Sequence, residues 1–353
     1  PFRSKRIQQH RRQHRNNHDQ SQLFCVIIII KPTHILNQFK ATMTTEMKKV
    51  LIFGGKTGWI GQMMGELVKK EENVELFIAD SRIQNRESVA KELDEIKPTH
   101  VLNAAGITGR PNIDWCEDHK PETMRTNVIG TLNLADLCYE RNIHCTVYAT
   151  GCIFVYDEKH PEGSGIGFTE EDTPNFDGSF YSETKGYMEP MLKNYPNTLI
   201  LRVRMPVSDD LFHRNFVTKI VKYEKVVNIP NSMTILTEML PLSLAMAKKG
   251  LTGVYNFTNP GVISHNQVLD LYKKYIDPTY TYQNFNLEEQ AKVIKAPRSN
   301  NELDTTKLMR DKPDGIVIND IHTAYELCFQ RMKENLTKMG WLPDNMPAEF
   351  KRN

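Results

Sequence analysis

The chain has 353 residues and carries 45 Lys and Arg against 43 Asp and Glu, for a formal net charge of +2. This length suits one large or two modest domains, and the near-neutral charge gives no general support for nucleic-acid or membrane binding. The six cysteines form no CxxC pair, which argues against a disulfide framework or a zinc site. The longest apolar run, residues 23–30, is too short to cross a bilayer. The composition therefore predicts a soluble, cytoplasmic protein without a bound metal.

Residues 1–42 differ in composition from the rest of the chain. They hold eight basic residues and one acid, which gives a net charge of +7 there and −5 for residues 43–353. A basic stretch before an apolar run fits a secretory signal or a mitochondrial address, and a disordered native tail is a further alternative. Because Met43 stands just ahead of the first β-rich run, we favour the interpretation that residues 1–42 lie upstream of the true start.

From Val50 onward, short β-rich runs alternate with runs of helical periodicity. The predicted strands are 50–53, 74–78, 100–103, 145–149 and 198–203, and the predicted helices are 60–68, 86–96, 124–139 and 181–193. This alternation predicts an α/β fold, a doubly wound parallel sheet of the Rossmann type. Beyond Met205 the alternation loosens. We therefore expect a dinucleotide-binding domain over 43–205, a smaller C-terminal substrate-binding lobe over 206–335 and a tail over 336–353.

A glycine-rich segment follows the first predicted strand and opens the first predicted helix, which is the context of a dinucleotide-binding fingerprint. Glycines permit a tight turn and close approach of the backbone to a pyrophosphate, and the helix N-terminus attracts its charge. A purely structural turn is the alternative. The residues expected to bind the cofactor here are Gly55, Lys56, Thr57, Gly58, Trp59, Ile60 and Gly61, with Asn103, Ala104 and Ala105 at the end of the third strand.

The choice between NAD and NADP rests on the end of the second predicted strand. Asp80 favours the free ribose 2′-hydroxyl of NAD, whereas Arg82 and the nearby Lys56 favour the 2′-phosphate of NADP. We predict NADPH on the strength of the two cations, with NADH as the alternative.

Tyr181 and Lys185 are spaced to share one helix face. A neighbouring ammonium, helped by an oxidised nicotinamide, favours the phenolate, so the pair could transfer protons at neutral pH. An ordinary surface Tyr–Lys pair is the alternative. Thr150 ends the fourth predicted strand, where its hydroxyl could bond a substrate carbonyl or merely cap a turn.

Together these features resemble the extended short-chain dehydrogenase/reductases, and several longer runs resemble the bifunctional nucleotide-rhamnose synthase/epimerase-reductase family. The resemblance extends from about Val50 to Lys307, and its most specific runs are 149–154, 163–168, 174–176, 178–182, 201–206, 228–235, 256–261 and 296–304. It implies 3,5-epimerisation and NADPH-dependent 4-keto reduction of a UDP- or dTDP-linked 4-keto-6-deoxyglucose, giving the nucleotide-linked L-rhamnose. A separate 4,6-dehydratase would supply the substrate, and a homodimer is possible.

Epimerisation needs a base and an acid beside the sugar. Cys152 stands where reductase-only relatives usually carry an acidic residue, and Lys219 matches the family's other proposed acid/base group. The alternatives are a small buried thiol and a solvated lysine. His213 is the second candidate for the base.

Arg204 and Arg298 are the predicted ligands of the diphosphate, since guanidinium groups bind phosphates through paired hydrogen bonds. Arg202 could be structural instead. The acidic run 170–172 is interpreted as a solvated loop rather than a metal site. The weaker predictions for the cleft are Asn175, Asn231 and His265.

Three other functions are considered. A sugar-nucleotide 4,6-dehydratase is excluded, because its carboxylate pair after the threonine is replaced by Gly151 and Cys152. A 4-keto reductase without epimerase activity remains open, as does a non-catalytic NADP-binding regulatory subunit. The sequence does not distinguish UDP from dTDP.

Overall fold

The structure is a computed structural model that describes residues 46–342 and 345–347. The predictions for the segment 1–42, and for Met43 as the start, lie outside the described residues.

Strands and helices alternate along the first two thirds of the described chain. The strands are β1 (Lys49–Phe53), β2 (Glu75–Ile78), β3 (His100–Asn103), β4 (His144–Thr150), β5 (Thr198–Val203), β6 (Lys225–Val226), β7 (Pro230–Asn231), β8 (Gly253–Asn256), β9 (Ile263–Ser264) and β10 (Gln283–Asn284). The α-helices are α1 (Trp59–Val68), α2 (Arg86–Ile96), α3 (Trp115–Asp118), α4 (Lys120–Met124), α5 (Thr131–Glu140), α6 (Phe180–Leu192), α7 (Phe216–Ile220), α8 (Leu236–Lys248), α9 (His265–Tyr275), α10 (Leu287–Ala291), α11 (Thr306–Asp311) and α12 (Ile321–Lys338).

Six strands of the described residues form one parallel sheet in the order β2-β1-β3-β4-β5-β8. Its central strands are mainly apolar because helices cover both faces. In β1, Leu51 and Phe53 pack into a core with α2, α5 and α6, whereas Val50 and Ile52 pack into a second core with α1 and α8. The predicted doubly wound parallel sheet is confirmed.

The sheet continues past the predicted domain boundary at residue 205. Gly253 of β8 pairs with Leu199 of β5, and α8 packs beneath the sheet beside α1. β8 was not predicted from the sequence, because it is four residues long and begins with glycine. A separate core joins α7, α9 and α12. The division into a cofactor domain and a substrate lobe stays a prediction.

The predicted helix 124–139 is interrupted. The chain passes from α4 through a π-helical turn at Arg125–Gly130 before α5 begins. Such turns occur frequently at functional sites. This one contains Asn127, whose side chain lies beside the candidate site.

No helix among the described residues is long and apolar enough to cross a membrane. Within the same residues, no group of His, Cys, Asp and Glu side chains has the arrangement of a metal site. The five cysteines that the structure describes are all free thiols.

Candidate functional site

A cavity of 1320 Å³ opens at the carboxyl ends of the central strands. Phe53 ends β1, Ala104 follows β3, Thr150 ends β4 and Val203 ends β5, and all four line the cavity. Ligands of doubly wound sheets bind at this edge. The cavity extends to residues 214–227 and 285–300, so it has room for both a dinucleotide and a second ligand.

The glycine-rich segment forms a cradle that no larger residue could form. Gly54 has φ of +80°, and a Cβ atom there would lie 2.7 Å from the carbonyl carbon of Ala104. A Cβ on Gly58 or Gly61 would lie 2.5 or 2.4 Å from the Gly54 carbonyl oxygen. The loop therefore lies close against β3 and the start of α1, which leaves the backbone open to a pyrophosphate at the helix N-terminus. These residues fit a nicotinamide dinucleotide. Gly54 was missed as a member of the fingerprint.

The predicted fingerprint residues divide into two groups. Lys56, Thr57, Gly58, Trp59 and Ile60 line the cavity, whereas Gly55 and Gly61 do not. A Cβ on Gly55 would lie 2.9 Å from the Cδ1 atom of Ile78. Gly55 and Gly61 therefore allow the close packing of the loop, and their contact with the cofactor stays a prediction.

Trp59 joins the glycine-rich loop to the substrate side of the cavity. Its indole ring stacks on Phe212, with 5.5 Å between ring centroids and 15° between planes. It also bonds the carboxylate of Asp210.

Ala104 and Ala105 line the cavity, but Asn103 does not. The Asn103 side chain is buried, and its Oδ1 accepts a hydrogen bond from the backbone N–H of Ala105 at 3.1 Å. Asn103 thereby fixes the turn that presents Ala105. Its buried Nδ2 has no hydrogen-bond partner among the described residues, and its contact with the cofactor stays a prediction.

The residues that bear on cofactor choice lie together at the end of β2. Asp80 and Arg82 both line the cavity. The ammonium of Lys56 forms an ion pair with the carboxylate of Asp80. The positive charge of Lys56 is thus offset by Asp80, and Arg82 remains an exposed cation at this wall.

Thr150, Tyr181 and Lys185 meet in the cavity wall. Ser179 caps α6 by accepting a hydrogen bond from the backbone N–H of Ser182, so Tyr181 stands in the first turn of that helix. The Thr150 hydroxyl hydrogen-bonds the phenol of Tyr181. A Cβ on Gly106 would lie 3.9 Å from the Nζ atom of Lys185, which places the ammonium against the loop after β3.

Burial is the main cause of the shifted pKa values of Tyr181 and Lys185. It raises the pKa of Tyr181 above its ordinary value, the Cys152 thiol adds to the rise, and the hydrogen bond with Thr150 opposes it. Burial also lowers the pKa of Lys185 to about 8. In the cofactor-free protein, burial therefore favours the protonated phenol of Tyr181, the form that donates a proton. The effect of Lys185 together with an oxidised nicotinamide stays a prediction.

Asn127 is a buried residue beside this site that sequence reasoning missed. It lies in the π-helical turn. Its Oδ1 accepts from the N–H of Ile107 and its Nδ2 donates to the Ile107 carbonyl, both at 2.9 Å. The π-helical turn thereby fixes the loop that faces Lys185. A single asparagine within a helical pattern gave no signal of this role.

Cys152 and Lys219 both line the cavity. The backbone N–H of Cys152 donates to the Thr150 hydroxyl oxygen at 3.1 Å, which ties the thiol-bearing residue to the Tyr181 group. Lys219 is carried by α7, whose N-cap is Asn215. Burial lowers the pKa of Lys219, and the nearby charges of Arg214 and Arg298 lower it further. His213, the second candidate base, is exposed and does not line the cavity.

The two predicted diphosphate ligands have different positions. Arg298 lines the cavity, where its Nη1 donates to Oδ1 of Asp114 at 2.7 Å. Arg204 is fully buried outside the cavity lining, and its guanidinium donates to the carbonyls of Ser232 and Ser299. Arg204 therefore holds the backbone beneath the site, and its predicted role in binding diphosphate is wrong.

Arg214 is a cavity cation that sequence reasoning missed. Its Nη1 donates to the Thr108 hydroxyl at 3.3 Å, while its buried Nε has no hydrogen-bond partner among the described residues. No motif distinguished it from the other arginines of the chain.

Other predicted cleft residues have structural partners instead. Asn231 is fully buried and bonds the Ile229 carbonyl and the Asn300 side chain, so its predicted substrate contact is corrected. Asn175 likewise bonds the backbone of Val155, outside the cavity lining. His265 does line the cavity.

Arg202 is structural, as one interpretation of the sequence held. Its buried guanidinium donates to Glu189 of α6, at 2.6 Å for the shortest contact. Glu170 is also buried, and its Oε1 accepts from the backbone N–H of Asn256 at 2.8 Å. The acidic run is therefore not wholly solvated: its first carboxylate supports β8.

A doubly wound sheet with this glycine cradle and with Thr150, Tyr181 and Lys185 at its carboxyl edge defines an extended short-chain dehydrogenase/reductase fold. The family model described as "RmlD substrate binding domain" matches residues 47–311, and the chain belongs to that family.

Two of the relatives carry names that describe epimerase and reductase activities on rhamnose precursors. The chain is 61% identical over 267 residues to the bifunctional dTDP-4-dehydrorhamnose 3,5-epimerase/dTDP-4-dehydrorhamnose reductase of Arabidopsis thaliana, covering 75% of this chain and 88% of that protein. It is 55% identical over 297 residues to a trifunctional UDP-glucose 4,6-dehydratase/UDP-4-keto-6-deoxy-D-glucose 3,5-epimerase/UDP-4-keto-L-rhamnose-reductase of the same organism. That match covers 83% of this chain and only 44% of the trifunctional protein.

Among solved structures, the UDP-rhamnose synthase of Acanthamoeba polyphaga mimivirus superposes with a TM-score of 0.76 at 39% identity. The superposition covers 81% of this chain and 100% of the viral chain.

Proposed function

We propose that the protein catalyses 3,5-epimerisation and NADPH-dependent 4-keto reduction of UDP- or dTDP-4-keto-6-deoxyglucose, giving the nucleotide-linked L-rhamnose. The observation that carries this proposal is one cavity that brings Thr150, Tyr181 and Lys185 together with Cys152 and Lys219. The first three suit reduction of a ketone, and the last two suit proton exchange beside it.

In the reduction, a reduced nicotinamide dinucleotide held by the glycine cradle at Gly54 and Gly58 would supply the hydride for C4. Tyr181, held protonated by burial, donates its proton to the C4 oxygen as negative charge develops there. The Thr150 hydroxyl orients that oxygen through a second hydrogen bond. Lys185 orients the ligand at the same wall, next to Gly106.

In the epimerisation, the C4 ketone acidifies the protons on C3 and C5, because their removal gives an enolate. Thr150 and Tyr181 stabilise the enolate oxygen as they later stabilise the alkoxide. Cys152 and Lys219 are the acid and base that remove each proton and return one to the opposite face. The lowered pKa of Lys219 brings its neutral amine closer to physiological pH.

For the nucleotide end, Arg298 and Arg214 are the proposed ligands of the diphosphate. Both line the cavity, and both face Lys219 closely enough to lower its pKa. Arg214 thus takes the place that sequence reasoning gave to Arg204.

For the cofactor, NADPH is the proposed donor, since Arg82 offers a cation at the end of β2 while Lys56 neutralises Asp80. A carboxylate paired in this way no longer disfavours a 2′-phosphate. A 4,6-dehydratase supplies the ketone. A homodimer stays a prediction, which light scattering of the purified protein would test.

The proposed function is tested by measuring whether the protein converts the substrate to product. The full chain is incubated with UDP- or dTDP-4-keto-6-deoxyglucose and either NADPH or NADH, and the sugar product is identified by NMR. Nucleotide-linked L-rhamnose is the expected product. A 6-deoxy-D-hexose would indicate a reductase without epimerase activity, and cofactor binding without turnover would indicate a regulatory subunit.

A further inference from the structure

Two adjacent residues of the segment that leads into α7 pack into different cores. Leu211 belongs to the core of α7, α9 and α12, whereas Phe212 packs against the core of α1 and α8. The Phe212 ring stacks on Trp59, the first residue of α1. Trp59 is buried and lines the cavity, while Phe212 is half-buried and lies outside the cavity lining. The stack therefore joins the glycine-rich loop to residues 206–215, which we call the bridging loop.

Hydrogen bonds within the bridging loop connect Phe212 to the start of α7. The backbone N–H of Phe212 donates to Oδ1 of Asp210 at 2.9 Å, and the Phe212 carbonyl accepts from the N–H of Asn215 at 2.8 Å. The Asn215 side chain donates to the carbonyls of Ser208 and Asp210. Its Oδ1 caps α7 by accepting from the N–H of Val217 at 3.1 Å. The position of Phe212 therefore fixes the position of the first turn of α7.

The bridging loop also carries Arg214, two residues after Phe212. The Nη1 atom of Arg214 donates to the Thr108 hydroxyl at 3.3 Å in the cavity wall. Because this hydrogen bond is long, the place of the guanidinium depends mainly on where the bridging loop lies. An arginine that is already in place loses less conformational freedom when it binds a phosphate.

The other end of the stack belongs to the site proposed for the dinucleotide. Trp59 follows Gly58, and α1 begins there without a side-chain cap. The N–H groups of the first turn of α1 are therefore open to a phosphate oxygen. Because the Trp59 ring also lines the cavity, a dinucleotide on the glycine cradle restrains both the backbone and the ring of Trp59.

We propose that the stack of Trp59 on Phe212 couples the two ligands of the cavity. A dinucleotide on the glycine cradle fixes Trp59, and the stack then holds the bridging loop with Arg214 in place for the diphosphate of the sugar nucleotide. Each ligand raises the affinity for the other by the same factor. Trp59 and Phe212 are positioning residues, and neither transfers a proton. The inference rests on the proposed function, which makes Arg214 a ligand of the diphosphate.

The test measures the Kd of UDP for the full chain by titration calorimetry, with and without saturating NADP⁺. The ratio of the two Kd values is the coupling factor. We expect a factor of about ten for the wild type and of about two or less for Phe212→Leu, which keeps an apolar side chain and removes the stacked ring. The Kd of NADP⁺ measured alone should be nearly unchanged in Phe212→Leu, since Phe212 does not line the cavity.

Further variants separate coupling from packing. Phe212→Tyr keeps the stacked ring and should keep the coupling factor of the wild type. Phe212→Met replaces Phe212→Leu if thermal unfolding shows that the leucine variant does not fold. The matched control is Tyr139→Leu, which removes a ring from the edge-to-face pair of Tyr139 and Tyr195 outside the cavity lining. It should leave the coupling factor unchanged.

A wild-type coupling factor of one would overturn the inference. Equal factors in the wild type and Phe212→Leu would also overturn it and would limit the stack to a role in packing. In an Arg214→Gln background, Phe212→Leu should no longer change the factor; a further loss there would show that the stack does not act through Arg214. Because this test measures binding alone, turnover of the 4-keto sugar by the wild type decides the proposed function separately.

Discussion

Asp114 accepts a hydrogen bond from Arg298 inside the cavity, with 2.7 Å between Oδ1 and Nη1. Asp114 also accepts from the backbone N–H of Ala296 at 3.3 Å. Arg298 holds the pKa of the Asp114 carboxyl below its usual range, although burial opposes the shift. The cation proposed to bind the diphosphate is therefore occupied by a carboxylate when no ligand is present. An incoming diphosphate must compete with Asp114.

Asp114→Asn should strengthen the binding of UDP by roughly two- to tenfold, because it removes a negative charge from beside the phosphates and keeps an acceptor for Ala296. Titration calorimetry at low and high salt measures the gain, which should shrink as salt rises. The control is Asp118→Asn: Asp118 pairs with Lys295 and does not line the cavity. An unchanged Kd for Asp114→Asn would show that Arg298 does not bind the diphosphate.

Tyr181→Phe should lower the rate of NADPH oxidation by at least about 100-fold, since it removes the proton donor for the C4 oxygen. Exchange of the C3 and C5 protons with deuterated solvent should largely persist, because Thr150 still stabilises the enolate. NMR of the sugar and absorbance of the cofactor give the two rates. Tyr187→Phe is the control, as Tyr187 is exposed on the same helix and bonds Glu183. Equal loss of both rates would contradict the division of roles.

Cys152→Ala should abolish solvent exchange at C3 and C5, because no thiol remains to transfer the proton. The measurement is deuterium incorporation in the ketone with NADP⁺ bound, so that no reduction removes the substrate. Cys328→Ala provides a comparison, since that thiol lies in the separate core of α7, α9 and α12. Exchange at the native rate in Cys152→Ala would remove Cys152 from the mechanism.

Arg214→Gln should move the pH profile of exchange to higher pH. Burial is the main cause of the lowered pKa of Lys219, and Arg214 is the larger of the two charges that lower it further. Loss of that charge raises the pKa, so the neutral amine that acts as base forms only at higher pH. Exchange rates measured across the neutral and alkaline range provide the check. A profile that stays in place, or moves to lower pH, would exclude Lys219 as the titrating base.

The protein should lose stability in acid through a histidine pair at the far end of the sheet. His100 and His144 are buried on β3 and β4 with 5.2 Å between ring centroids. Burial lowers the pKa of His100 from 6.5 to about 3, and the charge of His144 adds to the fall.

Between those two pH values the unfolded chain binds a proton that the folded chain does not, so the free energy of unfolding falls as pH falls from 6.5 toward 3. His100→Gln should reduce this slope, as followed by thermal unfolding between pH 7 and 4. His322→Gln, which changes an exposed histidine, should leave the slope unaltered. An equal slope in wild type and His100→Gln would assign the acid sensitivity to other groups.

The regular part of the fold was predictable because its signals are local. A strand buried on both faces is mainly apolar, as residues 50–53 of β1 and 199–201 of β5 are, and the helices between such strands show their own periodicity. The glycine-rich loop was predictable for the same reason, since a fingerprint at the junction of a strand and a helix is a continuous segment. The π-helical turn was not predicted because its residues continue the helical pattern on either side. β8 was not predicted because it is only four residues long.

The candidate site was predictable where chemistry and local position coincide, as at Thr150, Cys152, Tyr181, Lys185 and Lys219, all of which the structure places in the cavity wall. It was not predictable where the direction of a long side chain decides the role. Arg204 and Arg214 are ten positions apart and equally cationic, yet Arg204 bonds carbonyls that lie 28 and 95 residues away in sequence. Contacts between residues so far apart in the sequence cannot be predicted from a local sequence pattern.

The amino-acid sequence by itself therefore determined the doubly wound sheet, the glycine cradle and the kinds of chemical group beside the cofactor, because periodicity and backbone requirements act over a few residues. The tertiary structure alone decided which arginines line the cavity and why burial favours the protonated form of Tyr181. Those properties depend on burial and on the field of distant charges, which exist only once the chain has folded.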